Sequence, residues 1–194
     1  ARRGIHVMLE KPIAVTMADS ERIVEACKDA GVKLTVSYVH RFREEMVLLR
    51  RWLRSGRIGR AVTARETMNG QRGPHLGGWV NDPAAAGGGV LMYSAIHGID
   101  RLRWLIDDEI VCVTGQTRNL DGDGRVEQSA LALLTFAGGA VAVLSASAPE
   151  YPARPALWET EIFGSCGLVR ARTRAWAEIS DASEQQRHET GWCS

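Results

Sequence analysis

Hydrophobic positions in the first part of the chain predict a strand, a helix and a second strand. The apolar run Ile5–Leu9 ends just before a proline and predicts a short buried strand. Thr16 is a predicted helix N-cap, and apolar residues at helical spacing follow it until Gly31, where the helix should end. The run Lys33–Tyr38 predicts the second strand. Because the two strands are joined through a helix, they are expected to be parallel.

The middle of the chain has helical periodicity on both sides of a strand and a long loop. Glu44–Ser55 is rich in Leu and Arg and predicts a helix. Arg60–Met68 alternates between apolar and polar residues and predicts a strand. The glycine-rich stretch Asn69–Gly89 is too long for a simple connection, which favours a functional loop. Val90–Ile106 predicts a third helix.

The second half of the chain predicts an antiparallel sheet. Three short turns separate its strands, at Asp121-Gly-Asp-Gly, Ala137-Gly-Gly and Gly164-Ser-Cys-Gly, and short turns join antiparallel neighbours. The predicted strands are Ile110–Arg118, Val126–Phe136, Ala140–Ser147, Leu157–Phe163 and Leu168–Arg172. We therefore predict the α/β class. Residues 1–58 form a parallel part, and residues 59–194 form an α+β part with an open, mainly antiparallel sheet.

The polar residues narrow the possible functions. The chain has 194 residues, of which 45% are hydrophobic, so it can bury a core. Its 24 Lys and Arg balance 23 Asp and Glu, which argues against a nucleic-acid or membrane partner held by bulk charge. No apolar run approaches the roughly 18 residues of a spanning helix. Four cysteines without a C-x-x-C indicate thiols in a reducing, cytoplasmic setting, and the spacing of the histidines favours no metal.

The tripeptide Glu10-Lys11-Pro12 follows the first strand, at the edge where open α/β sheets bind ligands. Pro12 keeps Lys11 out of helical geometry, and its peptide bond is a candidate for the cis form. Partial desolvation would lower the pKa of Lys11 toward the range of a general acid or base, and Glu10 could orient the lysine. The alternative is a surface turn with two solvated charges.

The segment Gly87–Leu105 holds a second candidate site on the third helix. Its predicted core face comprises Leu91, Ala95, Ile99, Leu102 and Ile106. The opposite face carries Tyr93, His97, Asp100 and Trp104. His97 could exchange a proton near neutral pH, with Asp100 three residues on to orient it. Alternatively, His97 is a satisfied residue of a packed helix.

Two other features are weaker candidates for ligand binding. The triplet Gly87-Gly88-Gly89 could present N–H groups to an anion, but close backbone packing is the favoured interpretation. Seven arginines between Arg41 and Arg60 could bind phosphate, although the neutral balance of the chain argues against it. In His40-Arg41-Phe42, Arg41 follows the second parallel strand and so lies at the ligand-facing edge.

Taken in order, these segments resemble the Gfo/Idh/MocA family of NAD(P)-dependent oxidoreductases. The resemblance covers about residues 4–172. It rests on HVMLEKPIA, VSYVHRF, LRSGRIGRAV, WVNDP, GGGVLMYSAIHGIDRLRWL and ETEIFGSCGLVR. It implies a Rossmann domain followed by a sheet domain, NAD or NADP as cofactor, and a sugar, polyol or related small molecule as substrate. Because family members often associate through the sheet face, it also implies a homo-oligomer.

The resemblance also implies roles for individual residues. Lys11 corresponds to a catalytic lysine beside the nicotinamide, and His97 to the acid/base acting on the substrate hydroxyl. Asp100 would orient His97. Tyr93 stands where the family often has an aspartate, so it can donate a hydrogen bond but does not carry that charge. The residues expected at the cofactor are Glu10, Lys11, Pro12, His40, Arg41 and Trp79.

One family motif has no counterpart in this sequence. The phosphate-binding G-x-G-x-x-G of the first βα turn lies upstream of the family's Glu-Lys-Pro, and this chain contains none. The chain also starts with Ala1 in mid-structure, and residues 181–194 are polar and weakly patterned, so we expect both ends to be cuts. Without the phosphate-binding motif we expect the chain to be inactive alone. A non-catalytic relative that oligomerises or binds a ligand through its sheet is the main alternative. A lysine/histidine enzyme without a nucleotide, such as a lyase, is another.

Overall fold

The computed structural model describes residues 1–71, 78–119, 126–149 and 156–191. The predicted turn Asp121-Gly-Asp-Gly, part of the predicted loop Asn69–Gly89 and Cys193 lie outside these ranges. Strand β1 (Val7–Leu9) pairs in parallel with β2 (Leu34–Val36), and helix α1 (Met17–Asp29) joins them. This confirms the predicted βαβ unit. The hydroxyl of Thr16 accepts a hydrogen bond from the Asp19 N–H and caps α1 as predicted.

The rest of the described chain forms an eight-stranded sheet with helices on one face. The strand order is β10-β9-β8-β7-β3-β6-β5-β4, and every neighbouring pair is antiparallel except β3 with β6. The strands are β3 (Ala61–Asn69), β4 (Ile110–Arg118), β5 (Ser129–Phe136), β6 (Val141–Ser147), β7 (Leu157–Gly164), β8 (Gly167–Arg172), β9 (Trp176–Asp181) and β10 (Gln185–Glu189). This confirms the predicted open, mainly antiparallel sheet.

The helical elements cover one face of this sheet. Helix α2 packs on β8 and β9, and α4 packs on β3. These elements are a 3₁₀ turn (Val39–Phe42), α2 (Glu44–Arg54), a second 3₁₀ turn (Gly78–Asn81), α3 (Pro83–Ala86), a π-helical turn (Leu91–Ala95) and α4 (Ile96–Ile106). Gly98 allows α4 to approach closely, because a Cβ there would lie 2.7 Å from Cγ of Glu66 on β3.

The sequence did not predict strands β9 and β10. No element is predicted after Arg172, and the residues from Asp181 onward, where β10 lies, are polar and weakly patterned. In the structure β10 is the edge strand of the sheet, where only one side needs a partner. Arg57 holds the β9–β10 turn through Asp181, at 2.6 Å, and Glu184, at 3.0 Å. Ion pairs, rather than alternating apolar side chains, therefore stabilise this edge of the sheet.

The predicted division of the third helix into a core face and a polar face was wrong in part. The predicted core face is confirmed, because Ala95 and Leu102 are fully buried and Leu91, Ile99 and Ile106 are partly buried and pack against the core. On the predicted opposite face, the side chains of His97 and Asp100 are buried, with only 8% and 7% of their surface exposed. The π-helical turn changes the residue spacing before α4, and the 3₁₀ turn Val39–Phe42 covers the polar face.

Candidate active site

Lys11 lies beyond the carboxyl end of β1 and reaches the start of the helical segment that leads into α4. The Lys11–Pro12 peptide bond is cis, as the sequence suggested. The Nζ atom donates a hydrogen bond to the backbone oxygen of Tyr93 at 2.6 Å and lies 4.8 Å from the centre of that ring. Burial lowers the pKa of Lys11 from its ordinary value, and the charge of Glu10 opposes the shift. The predicted desolvation of this lysine is confirmed.

His97 packs against a second histidine that the sequence placed elsewhere. The rings of His97 and His40 are stacked with centroids 4.0 Å apart and planes 10° apart. Burial lowers the pKa of His97 to about 4, and the positive charges of Lys11, Arg101 and Arg43 add to this effect. Both imidazoles are therefore neutral at pH 7, because burial and His97 lower the pKa of His40 to about 2. The Nδ1 atom of each ring has no hydrogen-bond partner within the described residues.

Two predicted contacts at this site need correction. Asp100 does not hydrogen-bond His97, because both of its carboxylate oxygens accept hydrogen bonds from Arg41. Arg41 therefore ties the end of β2 to α4, and its predicted contact with the cofactor stays a prediction. His40 was expected at the open strand edge but is only 3% exposed, and its ring packs against the ring of His97. The sequence could not show that the segment after β2 contacts α4.

The remaining predicted cofactor contacts stay predictions. Glu10 is exposed and Pro12 is partly buried, both next to Lys11. Trp79 lies on the 3₁₀ turn Gly78–Asn81 and is 59% exposed, so its indole ring is available to a ligand.

A small cavity adjoins Tyr93, and no sequence pattern predicts it. Its volume is about 110 Å³, and it lies between the carboxyl ends of β3 and β6 and the π-helical turn. Trp158 of β7 forms one wall and lies 5.5 Å, ring centre to ring centre, from His40. Other residues around it include Gly70, Val80, Val90, Tyr93 and Ala148. Trp158 is distant in sequence from every predicted site residue, so only the tertiary fold could reveal it.

The glycine triplet packs against the protein itself. The N–H groups of Gly89 and Leu91 donate to the Glu127 carboxylate at 2.6 and 3.0 Å. A Cβ at Gly89 would lie 1.8 Å from the Glu127 carbonyl oxygen. Close backbone packing, the favoured interpretation, is confirmed. The alternative of an exposed anion site is wrong, because an internal carboxylate already occupies these N–H groups.

A buried ion pair that sequence reasoning missed lies one turn along α4 from His97. Arg101 and Glu66 are both fully buried and form a hydrogen-bonded ion pair. Arg101 also donates to the hydroxyl of Thr173 at 2.8 Å, and the hydroxyl of Thr160 donates to Glu66 at 2.7 Å. Burial raises the pKa of Glu66 despite the charge of Arg101. An arginine within a helix normally indicates a solvated face, so the sequence alone does not predict that Arg101 is buried and paired.

The fold combines a parallel βαβ unit with a large, mainly antiparallel sheet, and it places a lysine beyond the end of β1 and a neutral histidine on α4. Residues 46–170 match the sequence model described as the GFO/IDH/MocA C-terminal domain. Residues 1–38 match the oxidoreductase family with an NAD-binding Rossmann fold. The chain belongs to the GFO/IDH/MocA family.

Several relatives are named as enzymes of sugars or polyols. The chain is 37% identical to the 1,5-anhydro-D-fructose reductase of Ensifer adhaerens over 108 residues, which is 56% of this chain and 32% of the relative. It is 29% identical to the myo-inositol 2-dehydrogenase of Thermotoga maritima over 180 residues, or 88% and 50% of the two chains. A levoglucosan dehydrogenase solved with NADH and levoglucosan superposes with a TM-score of 0.88 at 25% identity, covering 97% of this chain and 55% of that one. The chain thus spans about half of these proteins or less.

The described residues show neither a metal site nor a membrane-spanning helix. Within residues 1–71, 78–119, 126–149 and 156–191, no three His, Cys, Asp or Glu side chains are grouped so as to hold a metal ion. Among the same residues, no helix is long and apolar enough to cross a membrane.

Proposed function

We propose that this chain supplies the catalytic lysine and histidine and the substrate-binding sheet of an NAD(P)-dependent oxidoreductase acting on a sugar, polyol or related small molecule. One observation carries the proposal: Lys11, with a lowered pKa, meets the same helical segment that presents a neutral His97. Groups whose pKa values are shifted by burial and neighbouring charge are typical of catalytic sites. The names of the relatives support the substrate class.

The residues present fit the nicotinamide end of the cofactor. Lys11 Nζ is partly desolvated beside the exposed Glu10 and the carboxyl edge of β1, where dinucleotides bind in such sheets. Trp79 offers an exposed aromatic surface on a neighbouring turn. Bound NAD(P)⁺ would supply the hydride acceptor.

The proton chemistry follows from the charge states of the two side chains. Neutral His97 can accept the proton of a substrate hydroxyl as the carbon is oxidised, because its pKa of about 4 leaves the ring unprotonated at pH 7. The Lys11 ammonium can donate a hydrogen bond to the same substrate oxygen. In the present structure it donates that bond to the Tyr93 backbone oxygen instead. Tyr93 thus holds Lys11 in place and adds a phenol to the site.

Substitution of the two residues tests this proposal in the longer protein that contains this chain. Lys11→Ala and His97→Ala should each lower kcat by roughly 10²- to 10⁴-fold, the usual contribution of a general acid or base. Lys28→Ala, at the exposed end of α1, is the matched control and should leave kcat unchanged.

The same assay separates the alternatives. Near-normal turnover in both variants would overturn the assignment. Turnover that needs no NAD(P)(H) but still requires Lys11 and His97 would indicate a lyase. No turnover by the parent protein on any sugar or polyol would favour the non-catalytic relative.

We also propose a second copy of the chain as partner on the open face of the sheet. Leu133 of β5 and Val143 of β6 pair directly and are 50% and 46% exposed, and Leu131 is 56% exposed. Next to this apolar surface, Arg65 and Glu161 pair across β3 and β7 at 3.8 Å. An apolar area beside surface charges of both signs is typical of self-association.

Mass in solution tests this interface. Val143→Asp should convert a dimer or larger oligomer into a monomer, because two copies would bring the introduced carboxylates into an apolar contact. Val24→Asp, at an exposed position of α1, is the control and should leave the mass unchanged. A parent chain that is already monomeric, or an oligomer that survives Val143→Asp, would contradict the proposed interface.

The proposed location is the reducing cytoplasm. Three cysteines in the described ranges, Cys27, Cys112 and Cys166, are free thiols, which supports a reducing compartment. Disulfide formation by these cysteines in the protein isolated from its cell would contradict it.

A further inference from the structure

Another, larger cavity lies at the end of the helical layer opposite to the candidate catalytic residues. Its volume is about 420 Å³, and it is bounded by the last turns of α2 and α4 and by the amino ends of β3 and β6. Ile106, which lines it, follows His97 by nine residues on α4, a separation of roughly 14 Å along the helix axis. The cavity is therefore separate from the candidate active site.

Three arginines of α2 and of the turn after it line this cavity, and two of them have no partner. Arg50 forms an ion pair with Asp107 at 3.0 Å and lies over the Trp104 ring. Arg54 and Arg60 are exposed, and neither side chain has a hydrogen bond or an ion pair within the described residues. Two guanidinium groups are therefore available to a ligand, although the chain as a whole is close to neutral.

The acidic side chains of the cavity are already engaged. Asp107 is the partner of Arg50, and the oxygens of Asp108 accept hydrogen bonds from the N–H groups of Glu109, at 2.8 Å, and Gly138, at 2.7 Å. No other acidic side chain belongs to the described lining. The two free guanidinium groups thus set the charge that a ligand would meet.

The backbone that carries these two arginines is held in place. Ser55 and Gly56 donate hydrogen bonds to the last carbonyl oxygens of α2, so the negative end of this helix is largely satisfied. Beyond the turn, Ile58 is fully buried and the Arg60 carbonyl oxygen accepts a hydrogen bond from Ser165 N at 2.9 Å. A fixed backbone on both sides reduces the entropy cost of bringing two arginines onto one ligand.

The rest of the lining is an apolar surface. It comprises Leu53, Ala61, Leu105, Ile106 and Ala140. An inorganic ion held by the arginines would leave this surface in contact with water, whereas an aryl or alkyl group would cover it. The cavity therefore combines positive charge with an apolar surface.

We propose that this cavity binds a small organic anion, with its phosphate or carboxylate group held by Arg54 and Arg60 and its body on the apolar surface. Guanidinium groups suit both head groups, because their paired N–H donors match two oxygen atoms of the anion. The inference does not rest on the proposed function and adds a binding site remote from Lys11 and His97.

Titration of the 194-residue chain with small probes tests the proposal. Phenyl phosphate and benzoate are the organic anions, benzyl alcohol supplies a similar body without charge, and inorganic phosphate supplies the head group alone. NMR of ¹⁵N-labelled chain follows the arginine Nε–H signals, and those of Arg54 and Arg60 are assigned from their loss in Arg54→Gln and Arg60→Gln. At least one organic anion should shift both signals and bind about tenfold or more tightly than benzyl alcohol and inorganic phosphate.

Single substitutions locate the site. Arg54→Gln and Arg60→Gln each remove one guanidinium and should each weaken binding of the organic anion about tenfold, in line with a lost charge-assisted hydrogen bond. Arg51→Gln is the matched control, because Arg51 is exposed on the same helix, lies outside the lining and changes the net charge equally. The spread of the amide signals reports whether each variant is folded.

The possible results either support or overturn the site. Binding of benzyl alcohol as tight as that of the organic anions would show that charge has no role, and equally tight binding of inorganic phosphate would show that the apolar surface has none. No binding of either organic anion, or an equal loss of affinity in folded Arg51→Gln, would also overturn the proposal. Because no redox step is measured, failure of the catalytic assignment of Lys11 and His97 would leave this result unchanged.

Discussion

Helix α4 and the turn before it contact two buried polar clusters that differ in whether opposite charges meet in them, although each keeps a buried nitrogen without a hydrogen-bond partner in the described residues, Arg101 Nε in the first. In the anchor cluster, Glu66 and Arg101 pair with each other, and Thr160 and Thr173 supply further hydrogen bonds. In the proton cluster, which comprises Lys11, His40 and His97, two ring nitrogens have no partner in the described residues. The clusters lie one helical turn apart, yet only the anchor cluster contains opposite charges in contact.

This difference between the two clusters distinguishes polar groups that are buried to hold the fold together from polar groups that are buried for function. The anchor cluster balances the cost of desolvation with an ion pair and hydrogen bonds, so it holds α4 on β3. In the proton cluster, burial lowers the pKa values of all three residues, and neighbouring positive charge lowers those of His40 and His97 further. Such an arrangement costs stability and keeps His97 unprotonated at neutral pH. Substitutions in the two clusters should therefore change different measurable quantities.

The largest expected effect is on stability, in the anchor cluster. Glu66→Leu leaves the fully buried Arg101 without its charge partner and should reduce the free energy of unfolding by about 3–5 kcal/mol. Urea denaturation of the chain measures the loss.

The double variant Glu66→Leu with Arg101→Leu is the control. It removes both charges and should recover part of the stability, because two apolar side chains can replace a buried pair. A double variant less stable than Glu66→Leu alone would contradict the view that the unpaired charge causes the loss.

A smaller loss of stability is expected where α4 meets the anchor cluster. In Gly98→Ala the new methyl group would lie 2.7 Å from Glu66 Cγ and 3.2 Å from side-chain atoms of Leu144 and Met68. Such overpacking typically costs about 1–3 kcal/mol, so the thermal midpoint should fall.

Ala95→Gly, in the preceding turn, provides a comparison for the effect of a helical glycine itself. Its cost should be mainly the lower helix propensity of glycine and the loss of one buried methyl group. If Gly98→Ala were neutral or stabilising, α4 would not be limited by contact with β3.

Local pattern was sufficient to predict most elements and part of the site. The apolar runs located β1, β2 and most strands of the large sheet, and the Glu10-Lys11-Pro12 tripeptide indicated a desolvated lysine, which the structure confirms. These features depend on residues close in sequence. Strand β10 was missed because an edge strand held by ion pairs has no apolar pattern.

Contacts between distant residues could not be predicted in the same way. Asp100 was assigned to His97 because the two are three residues apart, whereas its actual partner, Arg41, comes from the end of β2. Trp158 and Glu66 lie on strands that reach α4 only in the folded chain. The sequence thus indicated which residues carry chemistry, but not the neighbours that set their charge states.

The smallest expected effect, and the most informative for the proton cluster, is on the pKa of His97. His40 covers one face of the His97 ring, so His40→Ala should admit water and raise the His97 pKa from about 4 toward the ordinary 6.5. His40→Phe keeps an aromatic cover and should leave the pKa low. Because a depressed pKa makes the folded chain lose stability as pH falls from 6.5 to about 4, His40→Ala should also reduce the part of this acid sensitivity that His97 causes.

Histidine ring-proton NMR shifts followed against pH measure this change in the isolated chain, and His97→Gln identifies the signal. If the His97 pKa were unchanged in His40→Ala, cover by His40 would not be the cause of the low pKa. Neighbouring positive charge would then dominate. Lys11→Met distinguishes these causes, since loss of the ammonium should raise the His97 pKa whether or not His40 is present. A rise with His40→Ala and a further rise with added Lys11→Met would show that burial and like charge act together on His97, in contrast to the paired charges of the anchor cluster.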